Sequence, residues 1–244
     1  MSSVSGRPTL SWIDLYASDT TIPSGYYLGQ IADGPDGKTF RYALAGASAL
    51  VVGNMIQSSA VDTQFNDMAV PAAVALGTIG NITITNGTTS VTANQFVGGT
   101  LEVSVTPGLG DEYTIVGHGT ATSGSAWTVV LDRPLRTAWT TSTKVTVRRS
   151  PWSGVIQSPA TTLTGTTAGA AIYAIPAATY GWLQTGGVGA ALSDASSILV
   201  GSPVAVPSGT AGAVILGATN LKEVGQAMRA AATGKTIPIF FTLD

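Results

Sequence analysis

From Pro176 to Gly217 the sequence is cut into short apolar pieces by closely spaced turn signals. Tyr180–Gln184, Ala190–Leu192, Ile198–Val200, Pro203–Val206 and Ala213–Leu216 alternate with Gly186-Gly187, Ser193-Asp194, Gly201-Ser202, Ser208-Gly209 and Gly217. None of these pieces is long enough for a helix, and the spacing is that of a compact all-β barrel or sandwich. The run Ile237–Leu243 reads as a further apolar strand, which must pair with a sheet to stay covered. Asn220–Ala232 is ambiguous. Asn220 with Glu223 has the spacing of a helix-capping box, yet Gly225 and the turn Thr233-Gly234-Lys235 favour strand–turn–strand.

The surface implied by this chain is unusual. Charged residues make up 10% of 244, against roughly 25% in ordinary domains, while hydrophobic residues make up 44%. Thr, Ser, Asn, Gln, Gly and Ala must therefore form the exterior, and such a surface suits cover by other protein chains. A net charge of −2 offers nothing to a phosphate backbone, which argues against direct nucleic-acid binding. With no cysteine, disulfides and thiolate metal sites are excluded. Residues 1–19 do not read as a signal peptide, and no apolar run approaches a membrane-spanning length.

Three regions are expected. Residues 1–24 read as an N-terminal arm, polar except for the knot Trp12, Ile13, Leu15 and Tyr16, which would order on a partner. Residues 25–79 and 150–244 form the β core, opening with a hairpin, Tyr26–Ile31 and Lys38–Ala43, around Ala32-Asp-Gly-Pro-Asp-Gly37. Residues 80–149 form an inserted antiparallel subdomain. Asn81–Thr85, Thr100–Val105, Glu112–Val116, Ala126–Leu131 and Lys144–Arg148 each alternate apolar and polar residues, as strands with one solvated face do.

Chemistry-bearing patterns are sparse. His118, the only histidine, lies near Asp111, Glu112, Ser123 and Ser125, but no nucleophile elbow or convergent ligand set accompanies it. Asp33 and Asp36 lack the further oxygen ligands of a calcium loop and read as a turn. Asp62, Asn66 and Asp67 cluster without a His or Glu. Gly37-Lys38-Thr39 and Gly234-Lys235-Thr236 match the end of a phosphate-binding loop, but Ala32 and Arg229 stand where its first glycine belongs. Asn81-Ile-Thr83 and Asn86-Gly-Thr88 fit glycosylation acceptors and read better as strand and turn. Arg133, Arg136, Arg148 and Arg149 form the one basic cluster, suited to balancing nearby acids or touching a partner chain. The expectation is no catalytic residue, no metal and no cofactor.

Three stretches resemble capsid decoration (cement) proteins of tailed bacteriophages. They are Tyr27-Leu-Gly-Gln-Ile-Ala-Asp-Gly-Pro-Asp-Gly-Lys-Thr-Phe-Arg-Tyr-Ala43, Tyr180-Gly-Trp-Leu-Gln-Thr185, and Val224-Gly-Gln-Ala227 with Ile237–Asp244. The likeness covers residues 25–59 and 150–244, and 80–149 corresponds to a variable insertion. It implies a β-rich, non-enzymatic virion protein on the head exterior, often a homotrimer, that clamps neighbouring major capsid subunits. Trp12, Ile13, Leu15 and Tyr16 would then be the capsid-docking arm. Two other classes stay open: a tail- or fibre-associated protein with a carbohydrate-binding β module, and a secreted β-rich hydrolase. Exposed aromatics around a groove would favour the first, and a pocket joining His118 to a carboxylate and a serine would favour the second.

Overall fold

The computed structural model describes residues 7–194 and 197–244. The chain is all-β; among the described residues there is a single α-helical turn, α1 (Trp12–Leu15), with 3-10 turns at Pro35–Gly37 and Thr63–Phe65. Strands β1 (Ile31–Asp33), β2 (Thr39–Ala45) and β3 (Met55–Gln57) come first. Six strands of a separate unit follow: β4 (Met68–Ala69), β5 (Asn81–Thr85), β6 (Thr100–Val105), β7 (Glu112–His118), β8 (Ala126–Leu131) and β9 (Lys144–Arg148). The first unit then resumes with β10 (Ser153–Gln157), β11 (Thr167–Ala171), β12 (Tyr180–Ser193), β13 (Pro203–Val206), β14 (Ile215–Leu216), β15 (Lys222–Ala227) and β16 (Lys235–Thr242).

The two compact units are residues 1–60 with 151–244, and residues 61–150. The inserted unit therefore begins near residue 61, not at 80. The cause is a short strand without alternation. Met68 and Ala69 pair with Val145 and Lys144, Val74 bridges to Trp139, and Phe65, Met68 and Val70 are buried in the unit's core. Its sheet order is β4-β9-β6-β7-β8-β5, antiparallel throughout. Its end strands β4 and β5 lie beside one another, so the sheet nearly closes on itself. The alternate residues of β5–β9 fill the interior: Ile82, Ile84, Leu101, Val103, Tyr113, Ile115, Trp127, Val129, Val145 and Val147. Period two in the sequence is this inside–outside alternation.

In the first unit, ten strands run in the order β1-β2-β10-β3-β11-β12-β16-β15-β13-β14, and β2 also pairs with β12. That extra pairing closes β2, β10, β3, β11 and β12 into a ring. The interior of so small a barrel admits only small or slender side chains. Ala43, Ala45, Leu50, Ile56, Val155, Ala168, Ala171, Ile175 and Leu183 fill it. Gly181 on β12 leaves room for the Tyr173 hydroxyl and the Ile175 side chain, which a Cβ there would displace. β12 is 14 residues long. Its first half closes the ring against β2, and its second half pairs with β16 from Gly186↔Thr242 to Ser193↔Lys235. An open meander, β16-β15-β13-β14, continues from there over a second core that includes Ile198, Val204, Val206, Val224, Ile237, Ile239 and Phe241.

The outer face of the β2–β12 pair is covered by the chain's own beginning. Phe40, Tyr42 and Trp182 point out of the ring and are buried with Leu10, Leu15 and Ala32. The Leu10 amide donates to the Asp33 carbonyl at 2.9 Å, and the Asp33 amide donates to the Pro8 carbonyl at 2.9 Å. Asp19 and Tyr180 exchange backbone hydrogen bonds of 3.0 and 2.8 Å. The expected free arm over residues 1–24 is thus corrected from Arg7 onward: this segment is a wall of the core, because Phe40, Tyr42 and Trp182 would otherwise be bare. Residues 1–6 lie outside the described residues.

The insertion has a simple place in this topology. β3 and β10 are antiparallel neighbours, with Ile56 opposite Gln157 and Gln57 opposite Ile156. The chain leaves the first unit just after β3 and re-enters it just before β10, so the second unit stands where a hairpin loop would be.

Candidate functional site

The aromatic knot at the start of the chain is arranged by a capping box. Ser11 is the N-cap: the Asp14 amide donates to its hydroxyl, and its own amide and hydroxyl donate to the Asp14 carboxylate at 2.9 and 2.7 Å. This pairing satisfies the loose donors of a turn too short to persist alone. It also holds the Asp14 carboxyl below its ordinary range, through hydrogen bonds from Ser11.

One turn of helix separates the knot into two faces. Leu15 points inward and is fully buried. Trp12, Ile13 and Tyr16 stay outside at 39%, 84% and 52% exposure. The Trp12 and Tyr16 rings lie 5.8 Å apart, and Tyr16 meets Tyr173 edge-on at 5.8 Å. The Lys38 ammonium sits 4.7 Å from the Trp12 ring centroid. Of the four knot residues, three therefore form an exposed apolar face and the fourth anchors it. Sequence reasoning did not single out Tyr173, which follows β11, and met Lys38 only in the Gly37-Lys38-Thr39 match, whereas here it follows the Pro35–Gly37 turn; the Ser11-x-x-Asp14 spacing was the legible sign that the knot is helical.

Beneath this face the aromatic packing is continuous. Tyr26, Tyr42, Tyr180 and Trp182 lie with centroids 4.9 to 5.8 Å apart. The Tyr42 hydroxyl donates to the Asp19 carboxylate at 2.8 Å. Burial, reinforced by Asp19, pushes that phenol far above its usual range. The Tyr173 hydroxyl, pushed up to about 12 mainly by burial, donates to the Ala17 carbonyl. These phenols stay neutral across ordinary pH and act as structural donors.

The other candidates are placed apart from this face. His118 ends β7 and is buried in the second unit. Its Nε2 accepts the Phe96 amide at 2.9 Å, and its Nδ1 lies 2.8 Å from the Gly119 carbonyl, which assigns the proton to Nδ1. Its ring packs edge-on against Trp127 at 5.1 Å. Both nitrogens are thereby committed to backbone, and burial holds the imidazole below its ordinary pKa. Ser125 is turned to the Thr122 carbonyl at 2.9 Å. Asp33 pairs with Arg7 at 3.5 Å, and Asp36 takes φ 59° within the turn before β2. Asn86 is buried, with its amide donating to the Thr89 and Thr122 carbonyls at 2.9 Å each. Arg133 pairs with Asp132 at 3.2 Å, and Arg136 with Asp111 at 2.7 Å. Arg149 lies over the Phe96 ring at 5.5 Å. Among the described residues, no three of His, Asp and Glu converge as metal ligands would. A groove of about 350 Å³ in the first unit is lined by Thr161, Thr162, Leu163, Val206, Pro207, Asn220, Leu221 and Lys222, a lining with one amine and no His or carboxylate.

The chain matches no protein-family model, no curated protein and no solved structure. Its candidate site is accordingly defined by its own geometry. The α1 face offers apolar contact and one cation, and the groove offers hydroxyl and amide hydrogen bonds with one cation, Lys222.

Proposed function

We propose that this chain is a non-enzymatic virion structural protein that decorates the exterior of a tailed-phage head. In this reading, copies of it associate with one another and bind between major capsid subunits, stabilising the shell without cofactor, metal or nucleic acid. The observation that carries the reading is the α1 face. Trp12, Ile13 and Tyr16 are held out to solvent by a capped turn whose Leu15 is locked into the core. Aromatic side chains presented on a preorganised support are what interface hot spots use, since little ordering entropy remains to be lost on docking. The charge-poor composition and the likeness of residues 25–59 and 150–244 to decoration proteins support the same reading. The commitment of both His118 nitrogens to backbone supports the non-enzymatic part.

The test is decoration of heads stripped of this protein, followed by co-sedimentation. Trp12→Ala with Tyr16→Ala is expected to weaken binding at least tenfold while leaving the thermal transition within a few degrees of the parent. Equal decoration by the double variant would refute the docking role of this face. Binding of neither form to heads would refute the decorating role itself.

A further inference from the structure

β12, β16 and β15 present an outer face almost without charge. β12 carries no charged residue, β16 has only Lys235 at its first position, and β15 has only Lys222 and Glu223 at its first two. The pairing register fixes which side chains share this face. Val188 lies opposite Phe240, Ala190 opposite Pro238, Leu192 opposite Thr236, and Gln226 opposite Phe240. The residues between them, Ala191, Ile237, Ile239, Phe241 and Ala227, point the other way into the core. Val188, Phe240 and Met228 are 41%, 48% and 48% exposed. Two apolar loop tips border the face. At one, Gly53 accepts the Leu192 amide beside exposed Val51 and Val52. At the other, Gly201 donates to the Ala227 carbonyl beside exposed Leu199 and Val200.

A solvent-facing sheet is normally polar, and charges are the usual guard against edge and face association. A face whose polar residues, Gln226 and Thr236, are uncharged, bordered by exposed Val and Leu, has the composition of an interface centre, where charges are depleted. We propose that this face is where one copy of the chain meets another copy. Charge matching favours that occupant. The side-chain charge of Arg229 lies at the border and is turned to the Thr236 carbonyl at 3.2 Å, so a charged partner would lose the hydration of its charges over the strands with little counter-charge in return, whereas a second neutral face loses nothing of the kind. The strands supply part of the area. At ~3.3 Å per residue, the eight residues of β16 span about 26 Å, and β12, β16 and β15 at ~4.8 Å each span about 14 Å. Their footprint is about 370 Å², and the loop tips at Val51-Val52 and Leu199-Val200 extend it toward the ~800 Å² per partner of a stable interface. The inference deepens the self-association within the proposed function and rests on that part alone.

Sedimentation velocity of the purified full chain at micromolar concentration, with no heads present, tests it. The parent is expected to sediment at a multiple of the single-chain mass. Phe240→Glu and Val188→Lys are each expected to reduce it to the single-chain mass while leaving the circular dichroism spectrum intact. Val116→Glu, placed on the second unit where Val116 is also exposed, is expected to leave assembly unchanged. If a charged face variant loses its fold, Phe240→Ser and Val188→Thr are read in its place, with at least a tenfold weaker association expected. A parent that sediments as a single chain would overturn the inference. So would face variants that stay assembled, or a Val116→Glu variant that falls apart equally.

Discussion

Leu15→Ala separates a wall of the core from a detachable arm. Leu15 is fully buried with Phe40, Tyr42 and Trp182, and a Cβ on Gly34 would lie 3.2 Å from its Cδ1, so no slack surrounds it. Truncating a buried Leu to Ala costs ~2.7–5 kcal/mol, depending on how far the site can collapse. α1 is a single turn at the surface and relaxes more readily than a central strand, which places the expected cost near the low end, at about 3 kcal/mol. For a body of this size that lowers the melting temperature by roughly 6–12 °C. Ile13→Ala, two positions away and almost fully exposed, is expected to stay within about 0.5 kcal/mol of the parent. Urea unfolding followed by tryptophan fluorescence measures both, since Trp182 lies in the same cluster as Leu15. The denaturant slope should be unchanged, so that the midpoint alone carries the difference. If Leu15→Ala cost no more than Ile13→Ala, the segment would not be part of the core, and the packing argument for residues 8–19 would fail.

The second unit should lose stability in mild acid. Burial lowers the pKa of His118 in the folded state, so its contribution is complete above the unfolded value of about 6.5 and is lost as pH falls through the folded value. Protonation also takes the Nε2 lone pair from the Phe96 amide. A melting temperature that declines from about pH 6.5 downward is expected, with His118→Gln less stable but flatter over that window; an equal slope in the variant would exclude His118 as the cause. Residues 61–150 expressed alone should give a cooperative melt, whereas 80–149, lacking β4 and the buried Phe65, Met68 and Val70, should not. Equal folding of both fragments would return the boundary to residue 80.

The strands of the second unit are legible in the sequence because each has one wet face. Asn81–Thr85 and Thr100–Val105 alternate for the same reason that they pair around a single core. Met68-Ala69 is two residues long and has no period to read, so its membership depends on Val145, more than seventy positions away. The ring in the first unit is equally hidden. It is closed by Tyr180–Gly186 meeting Thr39–Leu44, and both of these strands are buried on both faces, which erases alternation. The knot at Trp12–Tyr16 was visible as apolar, but its division was not. Which of four apolar neighbours faces inward follows from the helical turn, and the turn follows from Ser11 and Asp14. In Lys222–Ala227 the opposite happened: Gly225, at φ 156° with Phe240 backbone against it, outweighs the capping-box spacing of Asn220 and Glu223 and keeps the segment extended.

The insertion between β3 and β10 ties the two units together thermodynamically. While residues 61–150 are folded, their ends are held close and the β3–β10 pair experiences a short linker. If that unit melts, the same pair must close a loop of the whole segment. With closure entropy growing as (3/2)RT ln n, the added cost over a loop of a few residues is about 2–3 kcal/mol. The second unit is therefore a clasp on the barrel: its melting loosens a ring it need not touch. Any folded domain with neighbouring ends could serve as well in that place, which makes residues 60 and 151 a natural pair of splice points for carrying a foreign domain.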